Sequence, residues 1–164
     1  METYVKILAK SWAVSLAGIF CFAVLVVLFA ISGGYGTDLS QFGTLDYTYV
    51  FWVVILLLIL IVNKKTRRNL VKIRAMENLP DKLVAYRKNY VTSLFLGCCL
   101  VSFIALVLYM INHSFGNIIF IFISFIWALL LRPYALKVKI DLDLTEDDLS
   151  KFDRLKFTLN KKLY

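Results

Sequence analysis

Histidine occurs once, cysteine three times and proline twice in 164 residues, and charged residues make up only 18% of the chain. These scarcities remove most routes to catalysis. The lone His113 sits in a short loop beside Asn112 and Ser114, where it reads as a solvated turn residue. Cys21, Cys98 and Cys99 are odd in number, lie inside apolar runs and lack metal-ligand spacing, so they read as small packing residues. Asp141, Asp143, Asp147 and Asp148 form an acidic cluster, but the glycine and terminal glutamate of a calcium loop are missing. Local polarity and helix capping account for them. With no nucleophile–base pair, carboxylate pair or metal set, the chain is not expected to be an enzyme, and no cofactor is expected.

What the sequence has in quantity is hydrocarbon. Its residues are 60% hydrophobic and its mean hydropathy is +0.76, whereas a soluble domain is about half apolar and about a quarter charged. Four charge-free apolar runs follow one another at 11–31, 47–62, 90–111 and 115–131. The first and third match the about 20 residues that a helical crossing needs. The second and fourth are shorter, and buried helices of a soluble protein are the competing reading; neither run has a polar face to support it. They are read as upright helices whose polar ends reach the interface. The fold class expected is therefore an all-α membrane protein, a four-helix transmembrane bundle of two hairpins.

Two processing events compete with this reading of the first run. Lys6 and Lys10 followed by Ala30-Ile31-Ser32 resemble a signal peptide, but the apolar core exceeds the usual length of about 7 to 15 residues. Cys21 follows Phe20, too large a residue for a lipoprotein site. The run is kept as a span.

Charge is distributed on one side only. Lys6 and Lys10 precede the first run, nine basic residues fall in 63–89 and eight in the tail from Arg132, while the loops at 32–46 and 112–114 have no Lys or Arg. By the positive-inside rule both termini are cytoplasmic. The stretch KKTRRNLVKIR at 64–74 carries six basic residues and no acid. Lys and Arg can displace counterions from nucleic acid, yet this stretch lacks base-stacking aromatics and begins directly after a span. Lys64, Lys65, Arg67, Arg68, Lys72 and Arg74 are thus read as topology anchors in contact with lipid headgroups, with no nucleic-acid partner.

The expected packing follows the small residues. Ala13, Ala17 and Gly18 in the first span and Ser93, Gly97 and Ala105 in the third would let backbones approach, which drives helix association in lipid. Spans one and three are expected at the centre, two and four outside; the alternative is that the small face meets a partner helix or a second copy. SLAGIFC at 15–21 loosely echoes SLFLGCC at 93–99, compatible with duplicated hairpins.

Beyond the spans, the pattern continues as helix after Val62, stops before Pro80 and restarts with Asp81 in the first turn, giving a cytoplasmic helical hairpin over 63–89. The alternation KVKIDLDL at 137–144 predicts a strand or extended strip. Thr145 then caps a short amphipathic helix whose face is Leu149, Phe152, Leu155 and Leu159. That face is expected to dock on the hairpin, enter the headgroup region or bind a partner.

The segments ENLPDKLVAYRKNYVTSLFLG at 77–97 and RPYALKVKIDLDLTEDDLSKF at 132–152 resemble a group of small four-span inner-membrane proteins, common in Bacteroidetes, that have no established function. Relatives often carry a glutamate before the glycine of the third span, where this chain has Leu96. The resemblance implies a bacterial inner membrane and no particular activity. The function expected is that of an accessory, assembly or regulatory subunit acting through the cytoplasmic hairpin and tail, with lipids and a membrane-protein partner or further copies as its contacts. The alternative is a small homo-oligomeric channel or transporter component; against it, no span holds the ionisable groups that ion-coupled carriers place in the membrane.

Overall fold

The computed structural model describes residues 1–31, 47–112, 117–145 and 148. The loop at 32–46, His113 and the amphipathic face of Leu149, Phe152, Leu155 and Leu159 lie outside these residues. All regular structure among the described residues is helical: α1 (Glu2–Ile31), α2 (Tyr47–Arg74), α3 (Leu79–Leu94), a π-helical turn (Phe95–Cys99), α4 (Leu100–Asn112), α5 (Ile118–Leu130) and α6 (Ala135–Leu142). Three stretches, Glu2–Phe29, Tyr49–Arg74 and Leu79–Ile111, are each long and apolar enough to cross a membrane. The number rises to four if α5 and α6, which meet at an 84° bend, count as one span.

α2 runs without a break from its apolar half into its basic half and ends at Arg74. The chain restarts at Leu79 after Asn78 in an extended conformation, with Pro80 in the first turn, where its missing N–H costs nothing. Asn78 Nδ2 donates to Asp81 Oδ2 at 2.7 Å, which places the carboxylate beside the positive end of α3. α2 and α3 then pack side by side.

The strip 137–144 is not extended: it forms most of α6, followed by Asp143 with φ of 52°. Alternation misleads here because tertiary contacts divide the apolar residues between two helix faces. Val138 and Leu142, four apart, are buried, whereas Leu136 and Ile140 are exposed. After α6 Leu144 is buried, and the Asp148 N–H donates to Thr145 Oγ1 while the Thr145 N–H donates to Asp148 Oδ2, the reciprocal bonds of a capping box.

The arrangement of small residues also departs from expectation. The third span lies at the centre: Ser93, Gly97, Cys98, Val101, Ser102 and Ala105 are all buried. α1 instead turns Ala13 and Ala17 outward, and an added side-chain carbon at Gly18 would meet nothing within 4 Å. Its inward residues are large, including Tyr4, Leu8, Ile19 and Val26. In hydrocarbon no solvent force selects the inward face, so shape and hydrogen bonding decide. Two bonds fix α1: Trp12 Nε1–H donates to the Ala128 carbonyl at 2.7 Å, and Tyr4 Oη donates to the Leu83 carbonyl at 2.7 Å. α5, expected outside, contributes Phe120, Ile121, Ser124 and Ala128 to the interior.

Gly97 sits in the π turn with room to spare, since an added Cβ would lie 3.6 Å from Val62 Cγ1, an ordinary contact. Gly97→Ala is therefore expected to leave the melting temperature in detergent unchanged or slightly higher, while Gly97→Leu overpacks against Val62 and costs about 1–3 kcal/mol. Equal losses with both residues would refute this account of the helix contact.

Candidate functional site

The candidate site is the charged end of the bundle, where the start of α1, the end of α2, the start of α3 and α6 meet. Its organising problem is the set of carbonyls that helix ends leave without partners. Tyr90 Oη donates to the Leu131 carbonyl at 2.8 Å and Lys137 Nζ to that of Leu130 at 2.8 Å, which satisfies the end of α5. Arg74 Nε donates to the Asp141 carbonyl at 2.7 Å and Nη2 to that of Ile140 at 3.3 Å, which satisfies the end of α6. Between α2 and α3, Asn89 Nδ2 donates to the Thr66 carbonyl and Asn89 Oδ1 accepts from Asn69 Nδ2.

One side-chain pair ties this frame to charge. Tyr86 Oη donates to Asp141 Oδ2 at 2.7 Å, and the Tyr86 ring stacks on Tyr90 one turn along, with centroids 6.3 Å apart. Burial, then the bond to the Asp141 carboxylate, pushes the Tyr86 phenol well above its ordinary value. Tyr4 is also raised by burial, with Arg87 acting in the opposite direction. Burial lowers Lys137, and the nearby Asp141 partly offsets this. Among the described residues no three His, Cys, Asp or Glu side chains gather as a metal site.

The six basic residues singled out in the sequence are all exposed, but they divide by task. Lys64, Lys65, Arg67, Arg68 and Lys72 form an outward ridge on α2. Arg74 is directed at α6 and caps it. Of the small residues, Ser93, Gly97 and Ala105 are brought into the interior, and Ala13, Ala17 and Gly18 are not brought to them.

Tyr4, Trp12, Tyr86 and Tyr90 carry the site and were not singled out in the sequence, whereas Asp141, read there as one of an acidic cluster, serves as the acceptor for Tyr86. A signal for two of them exists: Tyr86 and Tyr90 stand four apart in YRKNY, on one helix face at the border between basic and apolar sequence. No such spacing links Tyr4 or Trp12 to partners 79 and 116 residues away.

No family model, curated protein or solved structure matches this chain.

The raised phenols set an alkaline limit. The folded chain keeps the Tyr86 and Tyr4 protons at a pH where the unfolded chain, titrating near pH about 10, has released them. Their stabilisation is complete below that pH and is lost as pH rises through the folded values. Melting temperatures followed from about pH 8 to about pH 12 should fall above about pH 10, and the fall should be shallower in Tyr86→Phe. Identical slopes in the two proteins would rule out Tyr86 as a contributor.

Proposed function

We propose that this chain is a multi-pass protein of a bacterial inner membrane, crossing four times with both termini in the cytoplasm. It serves as a non-enzymatic accessory, assembly or regulatory subunit through its α2–α3 hairpin and the segment after α6. One observation carries the reading. Every Lys, Arg, Asp and Glu among the described residues belongs to segments gathered at one end of the bundle, joined there by the Tyr4–Leu83, Tyr86–Asp141 and Arg74–α6 bonds. The opposite end has Trp52 Nε1 donating to Asn117 Oδ1 at 2.9 Å, and no described charge.

Such a distribution orients a chain, because basic segments near spans stay on the cytoplasmic side. The fourth crossing is α5, whose 13 residues follow Asn117 at the uncharged end. At about 20 Å of helix it crosses by standing upright and drawing the bilayer in locally. The outward ridge from Lys64 to Lys72 then meets anionic headgroups, at about 1 kcal/mol per basic residue near the surface. The bacterial inner membrane follows from this orientation together with the sequence resemblance at 77–97 and 132–152.

A second reading, self-association of copies around a pore, draws on the outward Ala13, Ala17 and Gly18, which would admit a second helix closely.

Brief crosslinking in native membranes, followed by capture in mild detergent and a native-mass measurement, separates the two. The accessory role predicts one defined second protein, lost when residues 145–164 are deleted while the bundle persists. A closed homo-oligomer with no other component, conducting ions in reconstituted vesicles, would replace the accessory reading by the pore. Labelling at Glu77→Cys from the cytoplasmic side only is expected; labelling from the outside would reverse the topology.

A further inference from the structure

The contact between α1 and α5 is continuous in sequence pattern but not in space. Trp12, Leu16, Ile19, Ala23 and Val26 recur every three or four residues along α1. Ile118, Ile121, Phe125 and Ala128 do the same on α5, and Arg132 continues that register just past the helix end. At the charged end the seam is closed by the bond from Trp12 Nε1 to the Ala128 carbonyl, and the Arg132 guanidinium lies 5.7 Å from the centre of the Trp12 ring. Further along, Ala23 offers only a methyl group. There the seam opens into a groove of about 290 Å³ between Ile19, Phe20 and Ala23 on one side and Ile121, Phe122 and Phe125 on the other.

Every lining side chain of this groove is apolar. Ions and sugars find no partner in it, nor does an ordered water, which needs about 2–4 polar neighbours. The groove opens sideways: Phe20 and Phe122 at its rim are 63% and 64% exposed, on helices that the reading above places across a bilayer. Its surroundings are then lipid.

We propose that the α1–α5 seam holds one anionic phospholipid, with its headgroup at Arg132 and an acyl chain in the groove; this rests on the membrane-spanning reading. Charge identifies the leaflet. The groove begins at Phe125, about 10 Å along the α5 direction from Arg132, within reach of an acyl chain that starts at the interface beside that residue. Arg132 is exposed beside Trp12 at the charged end of the seam, α5 has no acid, and the only acid on α1 is Glu2 near its start. A guanidinium in that position suits a phosphate, which it can bind with two parallel hydrogen bonds. A lipid from the opposite leaflet would find no described cation at its own end. The bound chain fills the gap that Ala23 leaves, so the lipid completes the packing of α1 on α5.

The test uses the full chain, delipidated in detergent, reconstituted in vesicles of mixed phosphatidylglycerol and phosphatidylethanolamine, re-extracted and weighed by native mass spectrometry. One retained phospholipid per chain is expected, enriched several-fold in phosphatidylglycerol. Ala23→Phe fills the groove and should abolish retention, whereas Ala17→Phe, on the outward face, should not. Arg132→Gln should keep a lipid but lose the enrichment. No retained lipid in the parent, equal retention in Ala23→Phe, or unchanged enrichment in Arg132→Gln would overturn the proposal. Melting curves identify a variant that fails to fold, in which case Val27→Trp blocks the same groove from its other end. Failure to sediment with membranes would instead refute the membrane reading itself, whereas a membrane-embedded chain that keeps no lipid refutes only this site.

Discussion

The structure depends on finding a donor for every backbone carbonyl that a helix end releases. A backbone polar group buried away from water costs several kcal/mol if unmet, and at the exposed end of the bundle a side-chain donor takes the place that water would otherwise fill. Continuous helix solves this for the middle of each segment. The ends remain, and they are concentrated where α5 stops, the chain bends by 84° and α6 begins. Tyr90, Lys137 and Arg74 each reach a carbonyl from a different element. Satisfying the backbone and fixing the tertiary arrangement are here the same act, because each donor comes from a helix other than the one it caps or from beyond the bend.

This explains why α1 presents its large residues inward. Small residues favour close approach, but they carry no donor, whereas Trp12 and Tyr4 each offer one together with a broad apolar surface. Their bonds to Ala128 and Leu83 fix the rotation of α1 about its axis at two heights. With that rotation set, Ala13 and Ala17 turn outward and Ala23 falls opposite α5, where its short side chain leaves the groove. In the third span the balance differs, because several helices surround it and only compact residues fit. Ser102 and Ser124, both fully buried, have side-chain oxygens with no partner among the described residues, at about 1–3 kcal/mol each, where Ser gives close packing.

The helical class and the approximate extents of the long helices were legible in the sequence because hydrophobic runs and charge gaps are local. The break at Pro80 and the cap at Asp81 were equally local. What was not legible came from long-range pairing. The alternation KVKIDLDL satisfies a strand pattern, yet Val138 and Leu142 have a core to enter and Arg74 supplies the C-terminal cap of a helix. The π turn at Phe95–Cys99 left no mark in composition. Six basic residues in 64–74 looked alike, and nothing in the stretch distinguished Arg74, whose partners lie 66 and 67 residues further on.

The division among those cations bears on what the molecule can do. Arg74 and Lys137 are engaged with backbone, and Tyr86 holds Asp141, so these groups are part of the frame and have little freedom to exchange partners. The ridge from Lys64 to Lys72 is outside that frame and presents charge at no structural cost. Among the described residues the centre of a single chain is packed, with Cys98, Val101, Ser102 and Ala105 all fully buried. Conduction would therefore require copies to enclose a path between them, and the surfaces available for that are faces of hydrocarbon and small residues without ionisable groups. Recognition at the charged end requires no such assembly: the α2–α3 hairpin is already tied together there, with exposed cations on α2. That difference in what each role still needs is the physical ground for preferring an accessory function over a pore.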